Sequence, residues 1–336
     1  MKIASLFSGA GGLDLGFKKA GFDVVWANEY DSTIWQTFEA NFPKTVLDHR
    51  SIVDVPASDI PSVDGIIGGP PCQSWSEAGA RRGITDKRGQ LFFEYVRILK
   101  EKQPKFFLAE NVSGILHPQH EEALANIIAS FEDAGFVVSW KLLNAKHYEV
   151  PEDRQRVIIV GYRKDLGLRY THPKPMTTSL VLKDAILDLP PASPALEKNK
   201  TNSPRLAIPN HEYMVGGFST IYMSRNRVRT WDEPSFTIQA GGRHAPIHPQ
   251  APVMELVEKD VRRFVAGQED LYRRLSVREC ARIQTFPDDF IFHYRDVGDG
   301  YKMVGNAVPV QFAFHLARQV LADLSGVANS EPASVC

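Results

Sequence analysis

The stretch Asp64-Gly65-Ile66-Ile67-Gly68-Gly69-Pro70-Pro71-Cys72-Gln73 decides the architecture. Its short apolar run reads as a buried parallel strand ending at Gly68. Two glycines and two prolines then bend the chain, and Cys72 sits at the bend. In an open α/β sheet, the loops at the carboxyl ends of strands hold the ligand and the chemistry. A cysteine on such a loop is a candidate for covalent catalysis, because the thiolate is the useful sulfur nucleophile. A lone cysteine is more commonly a small buried hydrophobe. Pro-Pro-Cys is unlike such a packing position, since it fixes backbone angles and removes donors.

Around this stretch the first 163 residues alternate short apolar runs with longer amphipathic ones. Ile3–Phe7, Asp23–Ala27, Ile66–Ile67, Phe106–Ala109, Val137–Leu143 and Val157–Val160 read as strands. Leu13–Ala20, Ser32–Ala40, Leu91–Lys102 and Glu121–Ala134 read as helices. The alternation predicts a doubly wound, mostly parallel α/β sheet. After Tyr162 the rhythm stops, and residues 171–252 are rich in proline with only scattered strands. Leu275–Ile283 reads as helix. The chain then returns to the first pattern, with Gly305-Asn306-Ala307-Val308-Pro309 ahead of an amphipathic helix over Val310–Leu324. The expected organisation is a Rossmann-like α/β domain from residues 1–172 and 296–330, with a smaller domain, 173–295, inserted.

Composition bounds the function classes. The 336 residues are 43% hydrophobic and 24% charged, with a formal net charge of −1, as in ordinary globular proteins. Any nucleic-acid surface must therefore be local. The cysteines Cys72, Cys280 and Cys336 are too few and too scattered for a disulfide framework or a zinc site, and fit a reducing, cytoplasmic setting. Met1–Phe7 reads as strand rather than signal peptide, and no apolar run approaches spanning length. No metal and no membrane contact is expected.

Three further segments carry candidate chemistry. Phe7-Ser8-Gly9-Ala10-Gly11-Gly12-Leu13-Asp14 follows the first strand, and its glycines allow close backbone approach at a helix N-terminus. The spacing is not the dinucleotide fingerprint, because Asp14 replaces its third glycine. Glu29, twenty residues after Gly9, can accept bonds from the ribose hydroxyls of an adenosyl cofactor. Glu110 ends the apolar run from Phe106, on the same rim as Cys72, and can act as an acid or remain a solvated loop residue. Arg154 and Arg156 alternate with Gln155, so both are expected to point to one face, where they suit a phosphate or carbonyl or form an edge-strand salt bridge. Lastly, Arg225, Arg227 and Arg229 alternate in Tyr222–Trp231, followed by the glycine-rich loop Gln239-Ala240-Gly241-Gly242-Arg243-His244. Arginine forks match the O6/N7 edge of guanine, which favours nucleic acid over a merely solvated face.

In combination these motifs resemble the DNA (cytosine-5)-methyltransferases. Phe7-x-Gly-x-Gly-Gly, Pro70-Pro71-Cys72, Glu110-Asn111-Val112, Arg154-x-Arg156, Arg278-Glu279 and Gly305-Asn306-x-Val308 occur in that family's order, up to about Leu324. Lys198–Asn202, Asn210–Tyr213, Met223–Arg229 and His248–Pro252 are similar to the HaeIII-type bacterial modification methyltransferases, which recognise GGCC. The resemblance implies S-adenosylmethionine as methyl donor, S-adenosylhomocysteine as product and double-stranded DNA as partner. It implies that Cys72 adds to C6 of a flipped cytosine, so that C5 attacks the methyl group. Glu110 would hold N3, Arg154 the cytosine carbonyl, and Arg156 would support the loop. Phe7 would stack on adenine and Glu29 take the ribose. Gly9, Gly11, Gly12, Leu13, Tyr30, Ser51, Ile52, Pro70, Leu91, Asn306 and Val308 would complete the cofactor site. Arg225, Arg227, Arg229, Gln239 and Arg243 would read the target. The family precedent is a monomer, paired functionally with a restriction endonuclease and associated with the nucleoid through DNA. Alternatives are a weakly catalytic DNA-binding homologue and an RNA cytosine-5 methyltransferase.

Departures from the family pattern carry expectations of their own. Arg50-Ser51-Ile52 stands where relatives have Gly-Asp-Ile, leaving Asp48 to supply the adenine contact. Glu149 stands at a usual glycine and predicts strain where φ is positive. Glu152 stands for glutamine and places an acid near DNA phosphates.

Overall fold

The computed structural model describes residues 1–71, 87–177 and 179–328. Its centre is a seven-stranded sheet made of β1 (Lys2–Leu6), β2 (Asp23–Asn28), β3 (Val46–Asp48), β4 (Gly65–Gly68), β5 (Phe106–Val112), β6 (Phe136–Asn144) and β8 (Gln155–Arg163). The short β7 (Glu152–Asp153) lies outside it and pairs in parallel with Ser235–Phe236. The order is β3-β2-β1-β4-β5-β8-β6, with β8 antiparallel to both neighbours and the other pairs parallel. The chain direction of the winding therefore reverses between β1 and β4, which opens a crevice at their carboxyl ends.

Alternation along the strands builds a core on each face. Ile3, Ile67, Phe106 and Leu108 pack on α1 (Gly12–Lys19) and α8 (Val310–Ala328). Ala4, Leu6, Ile66 and Phe107 pack on α3 (Lys87–Lys102) and α4 (Glu121–Asp133). Buried Tyr95 on α3 donates to the carbonyl oxygens of Leu108 (3.0 Å) and Ile66 (3.3 Å), joining β4 and β5 below the crevice. The doubly wound fold is thus present. Several short or glycine-bearing elements escape the periodicity reading. β3 is only three residues long, and the glycines at 298, 300 and 305 disguise α7 (Val297–Asn306).

A third core joins α2 (Trp35–Asn41), α5 (Leu182–Ile186), α6 (Val277–Ile283) and α7. It places Phe38 and Phe42 with Ile186, Leu275, Phe286, Phe290 and Tyr301. Residues 275–292, on the inserted side of the expected boundary, thus share a core with Phe38 and Phe42 of the N-terminal part. A separate small core of Tyr222, Val228, Ile247, Ala251, Met254 and Tyr272 lies further out.

The contact between α1 and α8 closes the discontinuous sheet domain. A Cβ on Gly16 would fall 2.4 Å from Ala313 Cβ and 2.6 Å from the Val310 oxygen. Gly16→Ala is expected to lower stability by about 1–3 kcal/mol through overpacking, read by urea unfolding. An unchanged midpoint would mean that the two helices separate at little cost.

Candidate active site

The crevice between β1 and β4 is a cavity of about 510 Å³. Its floor is the glycine turn after β1. Phe7 holds φ +56°, a left-handed conformation that costs an aromatic residue on the order of 1–3 kcal/mol and that persists mainly at functional sites. Gly11, at φ +89°, is the residue before α1 and permits the turn without a Cβ clash. Glu29 receives the backbone N–H of Gly9 at 2.9 Å and of Asp31 at 2.8 Å. Burial is the largest influence on Glu29 and pushes its carboxyl pKa upward.

Of the expected cofactor residues, Phe7, Gly9, Gly12, Leu13, Glu29, Pro70, Leu91, Asn306 and Val308 line the cavity. Gly11, Tyr30, Ser51 and Ile52 do not. Gly11 acts through the turn itself. Tyr30 is 72% exposed, outside the crevice mouth. Ile52 belongs to the core beneath the sheet, beside Val55 and Trp26. Ser51 precedes the single turn at Ile52–Asp54. Asp48 is held by the Arg50 guanidinium, with Nη2 2.6 Å from Oδ2, and is not part of the cavity wall. Asp31, Asn111 and Met303 line the cavity without having been expected. Asn111 alone had a signal, as the residue after Glu110.

The far wall carries Glu110 and the loop after β4. Cys72 lies outside the described residues, but the loop leading to it is placed. Pro70 accepts a hydrogen bond from Asn111 Nδ2 at 3.0 Å. A Cβ on Gly69 would lie 3.3 Å from Glu110 Oε2, so the backbone two residues before Pro71 rests against that carboxylate. Glu110 pairs across the sheet with Ile158. Arg156, two residues along β8, is its diagonal neighbour, and its Nε forms an ion pair with Glu110 Oε1 at 2.7 Å.

The two arginines do not share a face. The strand is interrupted at Arg154, between β7 and β8. Arg154 turns inward and is 1% exposed. Its Nη1 donates to Ile238 O at 3.0 Å, and its Nη2 to Gly305 O at 2.9 Å and Ala307 O at 3.0 Å. Glu152 Oε1 lies 3.5 Å from Nη1 and accepts from Ile238 N at 2.6 Å. Arg154 is thus a tie between β7, the loop at 238 and the end of α7. Its geometry does not suit the expected role on the cytosine carbonyl. Glu152, fully buried, is this tie's counter-charge and not an acid near DNA phosphates. Glu149 does have positive φ, +58°, and its Oε2 bonds Gln311 Nε2 and His315 Nε2 on α8, each at 2.7 Å. Both departures are accommodated by contacts within this structure.

The arginine segment and the glycine-rich loop meet. Ile247 N donates to Arg227 O at 3.0 Å, and Tyr222 Oη to Ala245 O at 2.7 Å. Arg225, Gln239 and Arg243 are exposed there. Arg227 instead curls back, donating to Tyr222 O at 2.9 Å with its guanidinium 4.7 Å from the Tyr222 ring centroid. Arg229 pairs with Glu233 at 2.9 Å and lies over Phe236. The run itself lacks an acid, but the turn after it supplies one.

A buried acid, a backbone turn and the Glu110 carboxylate converge on one crevice, and the comparison with known proteins agrees. The family profile for C-5 cytosine-specific DNA methylase matches residues 1–322. The chain belongs to that family. It is a DNA cytosine-5 methyltransferase, and its methyl donor is S-adenosylmethionine. It is 57% identical over 324 residues to the Type II methyltransferase M.FnuDI of Fusobacterium nucleatum, covering 95% of this chain and 94% of that one. It is 58% identical over 329 residues to M.MthTI of Methanothermobacter thermautotrophicus, covering 98% and 99%. Among solved structures, a prophage-encoded DNA modification methyltransferase of E. coli superposes with a TM-score of 0.73 at 25% identity, covering 97% of this chain and 99% of that one. The Spodoptera frugiperda DNMT2 structure, at 20% identity and TM-score 0.69 over 95% and 99%, shares the fold. In this methyltransferase the cavity's orphaned polar atoms, on Ser5 and Asp14, fit a polar, cationic cofactor. Among the described residues, no helix is long and apolar enough to cross a membrane.

Proposed function

We propose that this enzyme methylates a cytosine of GGCC in duplex DNA, the inner one, and so shields that DNA from a partner endonuclease. The observation that carries the catalytic part is Glu110 on the cavity wall, held by Arg156 and lying against the loop that leads into Cys72. The cytosine leaves the stack to reach that wall, since ring atoms inside a duplex are inaccessible. Cys72 adds to C6. Glu110 holds N3, with Arg156 fixing its carboxylate and facing the cytosine carbonyl in place of Arg154. S-adenosylmethionine supplies an electrophilic methyl group. Phe7 would flank its adenine and Glu29 its ribose. The enzyme works as a monomer in the cytoplasm, bound to the nucleoid through its substrate, and residues 173–295 form the target-recognition region around the Tyr222–Tyr272 core.

Arg225 and Arg243, exposed like Gln239 on segments that meet, are the readers of guanine in this scheme. Arg227 and Arg229 shape the segment that presents them. Arg225→Ala should relax choice at one guanine by about 1–3 kcal/mol, measured as relative methylation of single-substituted sites. Uniform weakening with a flatter salt dependence would instead mark a phosphate contact. The decisive experiment is methylation of plasmid DNA by the purified protein, read by bisulfite sequencing. Modification confined to GGCC is expected. Modification at another short site would reject the recognition assignment and keep the chemistry.

A further inference from the structure

Two polar side chains on the cavity wall have no role in the chemistry above. Asp14, in the first turn of α1, and Ser5, on β1, are both 0% exposed. Neither carboxylate oxygen of Asp14 makes a well-formed hydrogen bond, and the Ser5 hydroxyl and the Asp14 N–H lie only near enough to favour the ionised form weakly. Burying a carboxylate without a partner is costly, and native interiors almost always satisfy such groups. The groups packed around Asp14 offer no cation. Ser5 is uncharged, and Glu29 beyond the glycine turn carries the same sign. Lys302 on α7 is taken by Asp31 at 2.8 Å. Burial pushes the Asp14 carboxyl up to about 7, against the lowering influence of the Ser5 hydroxyl and the Asp14 N–H, with the Glu29 charge adding a smaller push upward.

The position is therefore built for a cationic donor that arrives with the ligand. Glu29 lies on the β2 side of the same cavity, and its two oxygens already hold backbone N–H groups. Of the two cationic centres of the cofactor, the sulfonium has no hydrogen to donate. The protonated amine of the amino-acid tail has three. We propose that Asp14, with the Ser5 hydroxyl beside it, is the subsite for that α-amino group. The proposal rests on the cofactor assignment. An ammonium there satisfies Asp14 and Ser5 together, and it converts a destabilising buried charge into a hydrogen-bonded ion pair.

The test is calorimetric titration of the full chain with S-adenosylhomocysteine and with 5′-methylthioadenosine, which lacks the amino-acid tail. Asp14→Asn should weaken S-adenosylhomocysteine about 10- to 100-fold, the range of a charged hydrogen bond. It should leave 5′-methylthioadenosine within about twofold. Equal weakening of both ligands, or of neither, overturns the subsite. A wild-type measurement does not depend on the variant folding. Near pH 7, titration in buffers of different ionisation enthalpy should show more proton release with S-adenosylhomocysteine than with 5′-methylthioadenosine, because only the former ionises Asp14. Glu29, whose pKa burial also raises, would contribute equally to both. Equal proton release overturns the proposal. Failure of S-adenosylhomocysteine to bind at all would overturn the cofactor assignment and the subsite with it.

Discussion

Arg154→Ala is expected to destabilise the protein by about 3–5 kcal/mol, the range for removing one partner of a buried ion pair. The side chain is buried, and its guanidinium serves three carbonyl oxygens from two distant segments, at Ile238 and at Gly305 and Ala307. Truncation leaves those oxygens unpaired and strands Glu152, also fully buried, without its counter-charge. Burial already raises the Glu152 pKa and lowers that of Arg154, so each depends on the other. Lysine should rescue little, since one ammonium cannot reproduce the planar fork. Urea unfolding followed by circular dichroism measures the effect. A loss below about 1 kcal/mol would show that water replaces the guanidinium. Activity should fall in step with the folded fraction, not through the chemical step.

Glu110→Gln should leave fold and DNA binding intact while lowering the methyl-transfer rate by about 10²–10⁴-fold, the usual contribution of a positioned acid–base group. Glutamine has the same shape, but it removes the charge that Arg156 pairs with at 2.7 Å. It can also no longer move a proton at the cytosine N3. Single-turnover transfer of labelled methyl to duplex DNA gives the rate, and a gel-shift assay gives binding. A drop of less than about fivefold would remove Glu110 from the chemistry and leave it as a strand-tip ion pair. The contrast between the two variants is itself informative. Two arginines only two residues apart divide their work, Arg154 to stability and Arg156 to the site, because the strand breaks between β7 and β8.

Much of the molecule was legible in the chain. The alternation of apolar runs placed the main strands and helices, because a strand buried on both faces must be continuously apolar and a covering helix must be amphipathic. The glycine turn after Leu6 and the acid twenty residues later marked the crevice, because both are local requirements of a loop at a helix N-terminus. α7 escaped because its glycines, needed for close packing against Tyr294 and the backbone at Gln239, hide its helical pattern.

The sequence by itself determined the winding of the sheet, the rim that carries the chemistry, and the family of the enzyme. Each of these is written in residue types at short separations. Only the tertiary structure decided which arginine faces Glu110 and which arginines of the 225–229 run stay free. It alone showed that residues 275–292 join the N-terminal core, and that Asp14 is buried without a well-formed hydrogen bond. These outcomes depend on contacts between residues far apart in the chain, such as Arg154 with Gly305. No local propensity encodes which buried charge meets a partner, because the partner's position is set by how the whole chain packs.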